Sequence, residues 1–267
     1  MKKNGFALRH ANETLKNDKV VVLNAVKQTG NALVWVSKEL KNDKEVVIDA
    51  VKQTGKALLY VSEEVKNNKD IVLDAVRQDG NALQYASEEL RNDRDVVIAA
   101  VRQMANALQY ASEELKNDKE VIFQSQKTKI LKEIKERDSY VLKYASEELR
   151  NDKEVVQEAV KQRGYALKYA SEEIRNVKDV VLCAVRQDGN ALEYASKELR
   201  GDKEVVLTAV RKNGNALKYA SEKLKNDKEL LETVKNCGWA LNYASKELQK
   251  DEELKRLYEE YDDDLPF

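Results

Sequence analysis

One unit of about twenty-five residues is written over and over along this chain, and that period limits what it can fold into more than any other feature. A serine marks the beat at Ser37, Ser62, Ser87 and Ser112, then at Ser146, Ser171, Ser196, Ser221 and Ser245. The spacing is 25 except for one interval of 34 and one of 24. Glycine keeps the same time at Gly5, Gly30, Gly55 and Gly80, then at Gly164, Gly189, Gly214 and Gly238, while Ala105 and Ser139 take its place in the middle. Self-similarity at such a period is the signature of a repeat array, in which each unit buries its apolar face only against its neighbours.

The pattern inside a unit reads as two helices. From Ala82 to Arg91, Ala82, Leu83, Ala86 and Leu90 fall on one side, the stripe of a core-facing helix. Asn92-Asp93 follows as an N-cap pair, and Val96, Val97, Ala100 and Val101 form a second stripe. Asn42 with Glu45 fits a capping box, with Asp43 as the alternative cap. Glycine at the unit boundary is expected to close the second helix in a left-handed conformation, and the Asn that often follows, as at Asn31, Asn81 and Asn190, to cap the next one. Helices of about ten to twelve residues are marginal alone in water, so neighbours must hold them. The expected fold is all-α: an α-solenoid of about ten tandem 25-residue helical hairpins.

The unit resembles an uncharacterised helical repeat family, a domain of unknown function, whose members repeat A-L-x-Y-A-S-x-E-L-K-x-D-K-E-V-V-x-x-A-V-x-x-x-G. The pattern is met at Ala82 to Leu90 with Asp93 to Val101, and again at Ala191 to Leu199 with Asp202 to Val210. The resemblance implies the fold and carries no catalytic residue or cofactor with it.

The beat is broken once. Asp118 to Ser139 spans 21 positions where Asp43 to Gly55 spans 12, so nine residues have been added. The stretch holds two partial helix starts, Val121-Ile122-Phe123 and Ile130-Leu131 with Ile134, separated by polar residues without Gly or Pro. A lengthened helix is expected near 119–138, with an outward bulge as the alternative. This gives one continuous solenoid with a first repeat half at 1–118, the insertion at 119–138 and a second half at 139–251. A capping helix and acidic tail follow at 252–267, with Leu254, Leu257, Tyr258 and Tyr261 along one apolar edge. At the other end Lys2-Lys3-Asn4-Gly5 reads as the end of a unit.

Composition narrows function. Basic and acidic residues number 47 and 48, and only one His, His10, occurs. Each helix carries both signs, which opposes the continuous positive track that phosphate binding needs. The first twenty residues lack the apolar stretch of about seven to fifteen residues of a secretory signal. The longest apolar runs, at Ala32 to Val36 and Val20 to Leu23, fall far short of the roughly twenty needed to span a bilayer. The expectation is a chain of the cytoplasm or another reducing compartment, with Cys183 and Cys237 as free thiols. No phosphate-cradling loop or metal-ligand spacing is present, so no cofactor, metal or catalytic residue is expected. The recurring Glu63-Glu64 and Glu88-Glu89 pairs are framework, with Glu88 and Arg91 spaced for a solvated ion pair.

In a repeat array binding falls to the positions that vary. One column, at the outward position of the first helix, runs Val34, Leu59, Gln84, Gln109, Lys143, Lys168, Glu193 and Lys218. Val34-Trp35-Val36 and Leu59-Tyr60-Val61 place apolar residues where later units have Gln or Lys, a candidate hydrophobic contact patch. The adjoining column of Trp35, Tyr60, Tyr85, Tyr110, Tyr144, Tyr169, Tyr194, Tyr219 and Tyr243 suits packing between repeats with the hydroxyl at the rim. The reading is a non-enzymatic scaffold that presents an extended surface to a protein partner, regulatory or effector-like. The alternative is a modular nucleic-acid-binding helical repeat protein.

Overall fold

A computed structural model describes residues 5–237 and 239–262, with side chains through residue 259. Lys2, Lys3, Asn4, Gly238, the Tyr261 side chain and the acidic tail lie outside the described residues. The described elements are all helical, and they fall into two compact units, 1–129 and 130–267.

Each repeat is built from three pieces rather than two. In one example, a 3₁₀ helix spans Gly80–Tyr85, a single α-turn spans Glu88–Arg91, and a ten-residue α-helix spans Arg94–Gln103. The expected second helix is therefore present as read, with Val96, Val97, Ala100 and Val101 fully buried. The expected first helix is broken at Ala86 and Ser87, whose ψ angles of 158° and 161° are extended.

Ser87 explains the break. Its Oγ accepts from the Leu90 N–H at 3.2 Å, capping the short turn, and donates to Asn67 Oδ1 of the preceding repeat. Its own N–H donates to the Lys66 carbonyl of that repeat at 3.1 Å instead of closing a helical turn. Ser and Asn side chains compete with helical hydrogen bonding, and here the bonds between repeats win. The same Ser-to-Asn pair recurs at Ser37 and Asn17, Ser171 and Asn151, Ser196 and Asn176, and Ser245 and Asn226. The apolar stripe survives the break, with Ala82, Leu83, Ala86 and Leu90 all buried.

Capping settles on aspartate. Asp43 Oδ1 accepts from the Glu45 and Val46 N–H groups, so Asp43 and not Asn42 caps its helix. Its other oxygen takes the Lys19 ammonium of the preceding repeat at 2.9 Å, and Lys19 also reaches Glu45. Lys69 likewise joins Asp93 and Asp95, Lys178 joins Asp202 and Glu204, and Lys228 joins Asp251 and Glu253. At these repeat boundaries one ammonium group is thus shared between two carboxylates of the next repeat.

The boundary glycines do not close helices in a left-handed conformation. None of the described glycines has a positive φ. They are small because the neighbouring repeat is close: a Cβ built on Gly80 would stand 2.5 Å from the Ala100 carbonyl oxygen. Nor does the following Asn cap the next segment; Asp79, Asp188 and Asn213, just before the glycine, do so.

The nine added residues lengthen a helix, which runs Lys119–Glu136. The boundary between the two units falls within it. The C-terminal helix spans Glu252–Asp262 and buries Leu254 and Tyr258, whose hydroxyl donates to the Leu231 carbonyl at 3.1 Å. No helix among the described residues is long and apolar enough to cross a membrane.

Candidate functional site

The 3₁₀ segments of successive repeats pack side by side and form the variable face of each unit. With three residues per turn, the second and fifth positions of a segment stand over one another, while Ala and Leu at the third and fourth point into the core. Gln84 shows the geometry, its Nε2 donating to the Asn81 carbonyl at 3.0 Å. The fifth position is the outward column read from the sequence. Val34, Leu59, Gln84, Gln109, Lys143, Lys168, Glu193 and Lys218 are all exposed there.

In the unit 1–129 this face is apolar only at its start. Val34 and Leu59 are 36% and 40% exposed, and Trp35 is half-buried against Phe6, with ring centroids 5.6 Å apart and edge to face. Val36 and Val61, read as part of a contact patch, are instead core residues, at the position that Ala86 fills on the apolar stripe of its own repeat. Gln84 and Gln109 continue the face as polar positions.

The unit 130–267 carries a different face. Tyr140 and Tyr165 occupy the second position, where five of the ten repeats have Asn, and they link the expected tyrosine column into a ribbon. Tyr140 meets Tyr144 and Tyr169 at centroid separations of 5.9 and 5.6 Å. Tyr165 meets Tyr169 and Tyr194 at 5.9 and 5.3 Å. All four contacts are edge to face, between 75° and 89°. The ribbon is open to solvent: Tyr144 is 74% exposed, Tyr140 42% and Tyr165 40%.

Two lysines lie on the ribbon. Lys143 Nζ donates to the Tyr140 hydroxyl at 2.9 Å and sits 5.2 and 5.4 Å from the Tyr140 and Tyr144 ring centroids. Lys168 repeats this on Tyr165, with the same 2.9 Å hydrogen bond, and lies 5.9 Å from the Tyr194 ring. Lys218 stands 4.6 Å from the Tyr219 ring. Cation–π contacts of this kind contribute about 0.5–1 kcal/mol at exposed sites.

The electrostatics follow from these bonds. The hydrogen bonds from Lys143 and Lys168 hold the Tyr140 and Tyr165 hydroxyls below the usual phenol range and push both ammonium groups above the usual lysine range. Tyr169, shielded from water between its neighbours, is raised to about 12. Tyr194 is pushed up in the same way, with Glu193 adding to the effect.

Sequence reading found Lys143, Lys168 and the tyrosine column but missed Tyr140 and Tyr165. The signal was present as a departure from Asn at the residue after the boundary residue. It is masked because Asn at that position reads as a cap. Trp239, in the same column, is 67% exposed.

Beside the ribbon a shallow, polar groove of about 410 Å³ runs between Glu172, Glu173 and Asn176 on one repeat and Tyr194, Ser196 and Lys197 on the next. The paired glutamates are solvated framework, as Glu88 shows with Arg91 at 3.8 Å. Among the described residues no three His, Cys, Asp or Glu side chains gather as a metal site, and Cys183 and Cys237 are free thiols.

Comparison with known proteins gives one result. The family model described as "Domain of unknown function (DUF4116)" matches eight times, at residues 1–41, 21–66, 43–91, 68–116, 93–128, 129–175, 163–200 and 202–233. No curated protein and no solved structure matches the chain.

Proposed function

Since the chain belongs to this family of repeats of unknown function, matched along most of its length, we propose from its own surface that it is a non-enzymatic scaffold for protein recognition. The observation that carries the reading is the exposed ribbon of Tyr140, Tyr144 and Tyr165 with Lys143 and Lys168. Tyrosine supplies large contact area with few rotatable bonds, and exposed aromatic rings flanked by polar groups are the composition of binding hot spots. In a framework whose apolar stripe recurs from repeat to repeat, the unit 130–267 places Tyr140 and Tyr165 on this face where 1–129 has Phe6, Asn31, Lys56, Asn81 and Asn106. A partner also needs a rigid platform, and the buried Leu142, Leu167 and Leu192 beneath the ribbon provide it. Val34, Leu59, Gln84 and Gln109 belong to a second face of the same kind in the other unit, with less aromatic surface.

A nucleic-acid role is the weaker reading. The tyrosines meet edge to face, so adjacent rings do not present the parallel faces on which successive bases stack. Lys19, Lys69 and Lys178, at the starts of long helices, are held by carboxylates of the next repeat.

The test is affinity capture from a lysate of the native host by the wild-type chain and by Tyr144→Ala/Tyr165→Ala. The reading expects at least one protein retained by the wild type and lost with the double variant, with both chains equally folded. Retention that is unaffected by the substitutions, or that vanishes on nuclease treatment, overturns it.

A further inference from the structure

Two groups of lysines differ in what holds them. Lys19, Lys69, Lys178, Lys203 and Lys228, which open long helices, are paired with carboxylates of the next repeat: Lys178, for example, lies 2.8 Å from Asp202 and 2.9 Å from Glu204. Lys143 and Lys168 are bonded to phenol hydroxyls and aromatic rings, which carry no compensating charge. They are close enough for Lys143 to oppose the protonation of Lys168. The carboxylate whose charge acts on both Lys168 and Lys218 is Glu193, one repeat further on, while Glu172 and Glu173 line the groove beside Tyr194. The ribbon is therefore positive at one end and neutralised at the other.

We infer that the ribbon takes an acidic peptide segment, whose carboxylates lie on Lys143 and Lys168 and whose apolar side chains lie on Tyr144 and Tyr165, with Glu193 setting the limit of the site. This rests on the scaffold reading and supplies the chemistry of its partner. A carboxylate can accept from an ammonium already oriented by its tyrosine, so little side-chain freedom is lost on binding. A peptide needs anchors only at intervals, whereas a nucleic-acid strand carries a phosphate at every step and would run its charge onto Glu193.

The test uses the full chain and two fluorescein-labelled probes, a short peptide of alternating glutamate and leucine and a uridine oligonucleotide of similar length, followed by fluorescence anisotropy at low and moderate salt. The peptide is expected to bind, and Lys143→Ala and Lys168→Ala each to weaken it by about five- to tenfold, in the range of a charged interface contact. Glu193→Lys is expected to tighten it several-fold, a gain that misfolding cannot mimic. Lys212→Ala, at the end of a long helix, should change it less than about twofold, as for a charge outside the contact. Absence of peptide binding, no gain from Glu193→Lys, or oligonucleotide binding as tight as the peptide's overturns the inference. If the peptide fails while Tyr144→Ala/Tyr165→Ala still abolishes protein capture, the partner's chemistry is wrong and the scaffold reading stands. If both fail, both fall.

Discussion

Gly80 and Ala100 touch across a repeat boundary so closely that any side chain on the glycine would overlap the alanine's carbonyl oxygen. Gly55 with Ala75 and Gly5 with Ala25 repeat the relation, each leaving 2.5 Å for a built Cβ. At Ala105, where the glycine is absent, the facing alanine is replaced as well: Ser125 stands there and its hydroxyl donates to the Ala105 carbonyl at 3.0 Å. Glycine in this array is thus a spacing device between repeats.

Gly80→Ala should therefore force the two repeats apart and lower stability by about 1–3 kcal/mol, the range for overpacking a well-filled site. The urea midpoint of unfolding is the measurement. An unchanged midpoint would show that the repeat boundary relaxes freely and that the close approach has no energetic consequence.

Two positions depart from the framework and can be repaired. Gly201 stands where other repeats have the Asn that receives the next serine, and Ser221 there lacks its side-chain cap hydrogen bond. Val177 stands where Asp caps the long helix, with φ −88° and ψ 107°, close to the −87° and 118° of Asp93. Gly201→Asn and Val177→Asp should each raise stability by about 1 kcal/mol, the usual size of a side-chain hydrogen bond or an N-cap. Thermal unfolding of the single variants checks this, and a fall in midpoint for either would contradict the assigned pairings.

Acid should weaken the array through its helix caps. The hydrogen bond from Lys19 holds the Asp43 carboxyl below the usual aspartate range, and Lys228 does the same for Asp251. For a depressed carboxyl, the stabilisation is complete above the unfolded value, about 4 for aspartate, and is lost as pH falls through the folded one. The partner lysines are raised, so their contribution is complete below the unfolded value of about 10.4 and is lost only above it. A melting midpoint that is flat between about pH 5 and 9 and falls below about pH 4 is expected. A midpoint that rises on acidification would contradict the ladder.

The inward and outward positions in and just after the 3₁₀ segment can be checked by a pair of substitutions. Ala86 is buried and Gln84 exposed. Ala86→Leu should cost about 1–3 kcal/mol by overpacking. Gln84→Ala should be neutral within about 0.5 kcal/mol, as for an ordinary surface position. The reverse order in a denaturant series would mean that the inward and outward positions have been exchanged.

The repeat period, the long helix of each unit and its Val-Val-x-x-Ala-Val stripe were legible because burial leaves a regular pattern in sequence. The lengthened helix at Lys119–Glu136 was legible too, since a polar run without Gly or Pro has no reason to turn. The break at Ser87 was not, because its cause lies in Asn67 and Lys66 of another repeat, and propensity within the unit favours continuing the helix. The same holds for Gly80, whose meaning is set by the neighbouring Ala100. At the ribbon, Lys143 and Lys168 stood out as variable positions, whereas Tyr140 and Tyr165 follow the boundary residue, where Asn reads as a cap, and the structure places them inside the 3₁₀ segment.

The most direct test of the ribbon as a binding surface is site-specific photo-crosslinking in the native host. A benzoylphenylalanine at position 144 is compared with one at position 204, where Glu204 is exposed at the start of a long helix. The account predicts a discrete protein adduct from position 144 that is absent from position 204. Adducts from position 204 alone, or adducts from position 144 that consist of nucleic acid, would contradict it.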